Sequence, residues 1–171
     1  MKKLILVRHG DYDADTGSLD SDGLEQVHRL ATAIAAHIVS PVSIIASPAT
    51  RTADTAALIS RLACDGIQVQ YHNFLDIEQS TQTEDDDTTN AAINNIANTA
   101  GESAATIFIV THEPIIDGYI KHYLCMRYGH KRRLHLAIRY AEAALIDLIS
   151  GDILVARQAD SGVVIQKHRL A

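Results

Sequence analysis

Lys3-Leu4-Ile5-Leu6-Val7-Arg8-His9-Gly10 places four consecutive aliphatic residues before a cation, an imidazole and a glycine. An aliphatic run without polar alternation is the pattern of a strand buried on both faces. Such strands occur in parallel sheets covered by helices on each side, so the run predicts an α/β chain with a first strand over Leu4 to Val7. Lys2 and Lys3 before an apolar run imitate a secretory signal, but the run ends after four residues, short of the roughly 7–15 a signal requires. A buried strand in a cytoplasmic protein is the expectation.

Outward from this strand, short apolar runs alternate with helical periodicity. Leu24, Val27, Leu30, Ala31, Ile34, Ala35 and Ile38 recur at helical spacing, with Asp22 and Glu25 resembling a capping box. Val42 to Ala46 reads as a second strand. Ser47-Pro48 then supplies an N-cap and a proline at the first position of a helix carrying Ala53, Ala56, Ala57, Ile59 and Leu62. Gly66 ends that helix, and Ile67 to His72 alternates as a third strand. Asp85-Asp86-Asp87 precedes a helix over about Thr88 to Thr99, where acids suit the helix dipole. Thr106 to Val110 is a fourth strand, and Pro114 opens a further helix. Ala143 to Ile149 and Gly162 to Gln166 read as late strands, with Ser150-Gly151-Asp152 a turn. The expected architecture is a three-layer α/β/α sandwich with a largely parallel sheet. No repeat, linker or low-complexity tract interrupts it, so residues 1–171 are read as one domain.

Composition narrows the function classes. The 171 residues are 47% hydrophobic and 21% charged, which excludes a disordered chain. The net charge of −6 argues against DNA or an anionic membrane as partner. Cys64 and Cys125 form no C-x-x-C pair, so they read as reduced thiols rather than zinc ligands or a disulfide framework.

In an open parallel sheet, ligands gather beyond the carboxyl ends of the strands. Arg8-His9-Gly10 follows the first strand, Ser47-Pro48 with Arg51 follows the second, and Thr111-His112-Glu113-Pro114 follows the fourth. Two arginines and two histidines therefore reach one sheet edge from three strands. Arginine presents planar, permanently charged forks to phosphate oxygens, and histidine is the nucleophile or proton carrier suited to neutral pH. This inventory fits a phosphoryl group.

These residues also carry a resemblance. Leu6-Val7-Arg8-His9-Gly10 resembles the signature of the histidine phosphatase superfamily, which includes phosphoglycerate mutases. Ser47-Pro48-x-x-Arg51-Thr52-x-x-Thr55-Ala56 resembles its second motif and Val110-Thr111-His112 its third, and Gly23 with Leu24 to Ala31 resembles its first helix. The short chain and His112-Glu113-Pro114-x-x-x-Gly118-Tyr119 look most like its small single-domain phosphohistidine phosphatases. The resemblance implies a phosphoglycerate-mutase-like fold and a metal-independent phosphatase needing no cofactor. In it His9 is the nucleophile, and Arg8, Gly10, Arg51 and His112 bind the phosphate. It also implies a glutamate acid in a Leu-x-Glu context after the third strand. Phe74-Leu75-Asp76-Ile77-Glu78 departs from this by one residue. Glu78 is taken as the acid, with Asp76 and Glu113 as alternatives. An inexact acid favours a phosphoramidate such as protein phosphohistidine over an alkyl ester, because its leaving group needs less help.

Rival readings rest on weaker patterns. Asp11-x-Asp13-x-Asp15 approaches a calcium loop, but Thr16 and Asp22 stand where that loop needs glycine and glutamate. The nine histidines include no H-x-H or H-E-x-x-H, so a metallohydrolase is disfavoured, and His28, His37, His72, His122, His130, His135 and His168 read as surface or structural. A mutase-type phosphotransferase, a small-molecule phosphomonoesterase and a weakly active phosphate-binding module remain alternatives. Lys131-Arg132-Arg133 reads as a solvated basic loop or a docking site for an acidic partner.

Overall fold

The computed structural model describes residues 2–76, 87–99, 103–129 and 136–168. Seven strands form one sheet: β1 (Lys3–Arg8), β2 (Val42–Ala46), β3 (Val69–Tyr71), β4 (Thr106–Thr111), β5 (Ala143–Asp147), β6 (Ile153–Ala159) and β7 (Gly162–His168). Their order is β3-β2-β4-β1-β5-β6-β7. The centre, from β3 through β2 and β4 to β1, is parallel, and β5, β6 and β7 extend it antiparallel. Among the described residues four α-helices cover it: α1 (Ser21–Ile34), α2 (Thr50–Ala63), α3 (Asp87–Thr99) and α4 (Glu113–Tyr128).

The pleat explains why β1 is aliphatic without interruption. Leu4 and Leu6 pack beneath α3 and α4 with Ile93, Ile116 and Ile120. Ile5 and Val7 point the other way, against Val27, Leu30 and Ile34 of α1 and Ala56 and Ile59 of α2. Each of these strand side chains is almost wholly buried and contributes roughly 1.5–3 kcal/mol of transfer free energy. Both faces of the sheet are therefore covered, as the three-layer expectation requires.

Local readings shift in places. The cap of α1 is Asp20, whose carboxylate accepts the Gly23 N–H at 2.8 Å, and not Asp22. Leu24 is exposed, and the buried stripe is carried by Val27, Leu30, Ala31 and Ile34. The α2 helix begins at Thr50 with Ala49 as cap, while Ser47 and Pro48 lie in the preceding turn. The third strand is shorter than expected because the end of α2 takes up its first residues: the Gly66 N–H bonds Ser60 O and the Ile67 N–H bonds Cys64 O. A strand over Ile153–Ala159 was not expected. Its Ala-Arg-Gln-Ala half shows no alternation, and pairing on both sides with β5 and β7 supplies what pattern does not. Asp85 and Asp86 lie outside the described residues, as does the Lys131-Arg132-Arg133 cluster with His130 and His135. Among the described residues no helix is long and apolar enough to cross a membrane.

Two glycines set the approach of the first loop to the sheet. A Cβ on Gly23 would lie 1.9 Å from the Asp11 carbonyl oxygen, and one on Gly10 would lie 2.9 Å from Gly23 O and from Val27 Cγ2. The turn after β1 and the start of α1 thus interlock with no room for a methyl group. Gly23→Ala is expected to lower stability by about 2–3 kcal/mol, the range of an overpacked buried site, measured by urea denaturation. Unchanged stability would show that the loop yields freely.

Candidate active site

Parallel register brings the reactive residues together. Arg8 of β1 pairs with Thr111 of β4, and Ala46 of β2 pairs with Val110, so three strands end within one residue of one level. The next residues are His9, Ser47 and His112. Backbone bonds carry the register one step further: the His9 N–H donates to Thr111 O at 3.2 Å and the Ser47 N–H to Val110 O at 3.0 Å.

His9 is 4% exposed. Its Nδ1 lies 2.8 Å from the Gly10 carbonyl. A carbonyl only accepts, so Nδ1 carries the proton and Nε2 keeps its lone pair. The Gly10 N–H donates to Thr55 Oγ1 at 3.1 Å, and Thr55 Oγ1 in turn donates to the Arg51 carbonyl at 2.7 Å. The Gly10 backbone is therefore engaged on both sides. It holds the His9 ring and ties the turn after β1 to the first turn of α2, which carries Arg51.

The two arginines meet aromatic rings. Arg51 is 8% exposed and its guanidinium carbon lies 4.8 Å from the centre of the Tyr12 ring. The Arg8 guanidinium carbon lies 4.3 Å from the Tyr140 ring, and Arg8 Nη1 donates to Ile138 O at 3.0 Å. Both tyrosine rings also lie 5.4 Å from the His9 ring, centre to centre. Cation–π contact of this kind fixes the plane of a guanidinium without using its N–H donors.

His112 is 1% exposed, with its ring centre 5.2 Å from that of His9. Its Nε2 lies 3.3 Å from Ser47 Oγ and 4.0 Å from Asp76 Oδ1. Asp76, 3% exposed, is held there by its neighbour: Thr111 Oγ1 donates to Leu75 O at 2.8 Å, tying the segment after β3 to the end of β4. Burial pushes the His112 imidazole down to about 3, with His9, Arg51 and Arg8 adding to the fall. At that value the ring is neutral near pH 7, so its approach to Asp76 is not an ion pair. Burial likewise lowers His9 to about 4; the Gly10 carbonyl opposes this, and Arg51 and Arg8 reinforce it. Permanent cations beside neutral imidazoles suit a dianion, whose charge would favour a protonated, donating His112.

Beside Arg51 opens a cleft of about 500 Å³ whose wall includes Tyr12, Asp15, Thr16, Thr50 and Asp76. Asp13 Oδ1 serves its own loop, accepting the Asp15 and Thr16 N–H groups, each at 2.9 Å. Among the described residues no three His, Cys, Asp or Glu side chains are grouped as metal ligands.

Arg8, His9, Gly10, Arg51 and His112 thus stand around one place, as the strand-end argument expects. Glu78 lies outside the described residues. Glu113 is half-buried in the first turn of α4, and Asp76 is the acid placed against His112. Tyr12 and Tyr140 were not anticipated. Tyr12 sits three residues beyond His9, a position open to inspection, whereas Tyr140 comes from the segment before β5 and carries no local signal.

Residues 4–76 match the family model of the histidine phosphatase superfamily (branch 1), which takes in the Arg-His-Gly strand end, Arg51 and Asp76. Solved structures extend the likeness along the chain. Mycobacterial glucosyl-3-phosphoglycerate phosphatase complexed with VO3 superposes with a TM-score of 0.63 at 15% identity, over 99% of this chain and 98% of that one. Phosphoglycerate mutase from Bacillus anthracis gives 0.63 at 15% identity, over 98% and 92%. The protein histidine phosphatase SixA complexed with tungstate gives 0.61 at 13% identity, over 98% and 94%. At these identities the likeness is one of fold, and it bears out the phosphoglycerate-mutase-like architecture. No curated protein matches by sequence.

Both lowered imidazoles have a consequence for stability. The unfolded chain binds protons at these positions below about pH 6.5, while the folded chain does not until near pH 4 and 3. Their contribution is therefore complete above pH 6.5 and is lost as pH falls toward those values, at up to about 1.4 kcal/mol per pH unit for each ring. NMR titration is expected to find both rings neutral at pH 6, with vanadate raising the His112 midpoint. An unliganded midpoint near 6.5 for His9 would contradict its burial.

Proposed function

We propose that the chain is a metal-independent, cytoplasmic phosphatase working through a phosphohistidine at His9, with protein phosphohistidine as its preferred substrate. One observation carries the reading: a buried neutral His9 with Nδ1 tied to Gly10 O and Nε2 unprotonated, flanked by Arg8 and Arg51. The His9 Nε2 lone pair forms a bond to phosphorus as the bond to the leaving atom breaks. Arg8, Arg51 and His112 take the charge of the non-bridging oxygens. Water then attacks phosphorus, the N–P bond breaks with its electron pair returning to Nε2, and inorganic phosphate leaves.

Asp76 is the proton donor in this reading. Its place beside His112 and on the cleft wall next to Arg51 supports the role. The leaving group lies in the cleft, where the Asp15 carboxylate disfavours a substrate carboxylate. That arrangement supports an imidazole or other uncharged or cationic leaving group over a phosphoglycerate, and so a phosphatase over a mutase.

The intermediate is the test. Brief exposure to a reactive phosphoryl donor is expected to leave an acid-labile, base-stable label, absent in His9→Ala together with turnover. Full activity in His9→Ala would end the mechanism. Asp76→Asn is expected to slow an alkyl ester by about 10²–10⁴-fold and a phosphohistidine substrate far less, because only the alkoxide needs its proton. Equal rates for Asp76→Asn and wild type on an alkyl ester would remove Asp76 as the acid.

A further inference from the structure

Glu142 is 2% exposed in the turn before β5, touches neither imidazole, and has no part in the mechanism above. A buried carboxylate is retained only where it is paired and hydrogen-bonded. Glu142 Oε2 accepts the Arg139 N–H at 2.9 Å and Arg157 Nη1 at 3.1 Å. The same Arg157 Nη1 donates to Ala137 O at 2.8 Å. The carboxylate and its β6 partner thus grip the 136–142 segment at two points of its backbone. The Glu142 N–H closes the loop on Arg139 O at 3.1 Å, and Ala141 takes φ +47°, a left-handed conformation a side chain rarely adopts unsupported.

This loop presents two groups to the Arg8 side chain. Ile138 O accepts Arg8 Nη1, and the Tyr140 ring lies across the guanidinium. The loop's far end is sewn to the nucleophile strand by Ala141 N–H to His9 O at 3.0 Å and Arg8 N–H to Glu142 O at 3.1 Å. Arg8 Nε is buried and has no hydrogen-bond partner among the described residues. One side of the guanidinium is thus anchored to the loop while a donor remains for an oxyanion.

We propose that Glu142 is a positioning residue: by folding the 136–142 loop it sets the Arg8 guanidinium for an oxyanion bound against His9. This rests on the reading of the site as a phosphate pocket. Arg8 is the pocket side chain that the loop both hydrogen-bonds and covers with a ring, so most of the carboxylate's effect on the ligand is expected to disappear when Arg8 is absent.

A double-mutant cycle on the full chain tests this, with vanadate as the probe and its dissociation constant measured by calorimetry. Glu142→Ala is expected to weaken vanadate about tenfold or more in the wild-type background and by less than about twofold in Arg8→Ala, as coupled neighbours do. Glu142→Gln keeps an oxygen for the Arg139 N–H and is expected to retain most of the affinity, within about threefold. If Glu142→Ala does not fold by circular dichroism, Arg157→Ala takes its place in the cycle, since it removes the second grip on the loop. An equal loss in both backgrounds would show a general effect on the fold and overturn the proposal, as would no loss in either. Wild-type protein that does not bind vanadate, or Arg8→Ala that binds like wild type, would overturn the phosphate-pocket reading and this inference with it. Binding weakened by Arg8→Ala but untouched by Glu142→Ala would overturn the inference alone.

Discussion

Strand β4 lies between β1 and β2 in parallel register, and the candidate site follows from that pairing. Because Arg8 is level with Thr111 and Ala46 with Val110, the chain leaves three strands within one residue of the same height. His112 emerges within hydrogen-bonding distance of Ser47 and ring contact of His9, each residue placed directly by its strand end. A one-residue slip in either pairing would turn the side chains of that strand to the opposite face and separate the two histidines. The aliphatic side chains on both faces of β1 and β4 oppose such a slip, since every one of them has a covered position to lose.

Around this frame, the electrostatics depend on exclusion of water. Two arginines and two imidazoles share a small volume in which burial is the largest influence on both rings. Neutral imidazoles avoid repulsion from the guanidinium groups, and the neutral form is the one a nucleophile requires. The arginines are permanent cations beside these neutral rings, a combination that suits an anion of matching shape. Tyr12 and Tyr140 meet the guanidinium planes through ring faces, a contact that does not itself consume N–H donors.

The support behind these residues is backbone chemistry as much as side-chain chemistry. Thr55 joins the Gly10 turn to the Arg51 carbonyl, Thr111 ties Leu75 and hence Asp76 to β4, and Glu142 shapes the loop that meets Arg8. Each is a buried polar group satisfied by a backbone carbonyl or N–H near the pocket. Stability and function are therefore linked here through the same bonds.

The chain's own pattern determined the central parallel strands, the helices on both faces and the cluster of Arg8, His9, Arg51 and His112, because strand burial and strand-end chemistry are local properties readable residue by residue. It determined less where an element is defined by its neighbours. The strand Ile153–Ala159 is held by pairing rather than by alternation, and the cap of α1 belongs to Asp20 because that residue meets the Gly23 N–H. The choice of Asp76 over Glu113 against His112 came from the Thr111 bond to Leu75, a contact across 36 positions in sequence. The roles of Tyr140 and Glu142 likewise arose only when the 136–142 loop was folded against β1 and β6. Periodicity reports which residues must be buried; only the closed tertiary structure decides which buried polar groups meet.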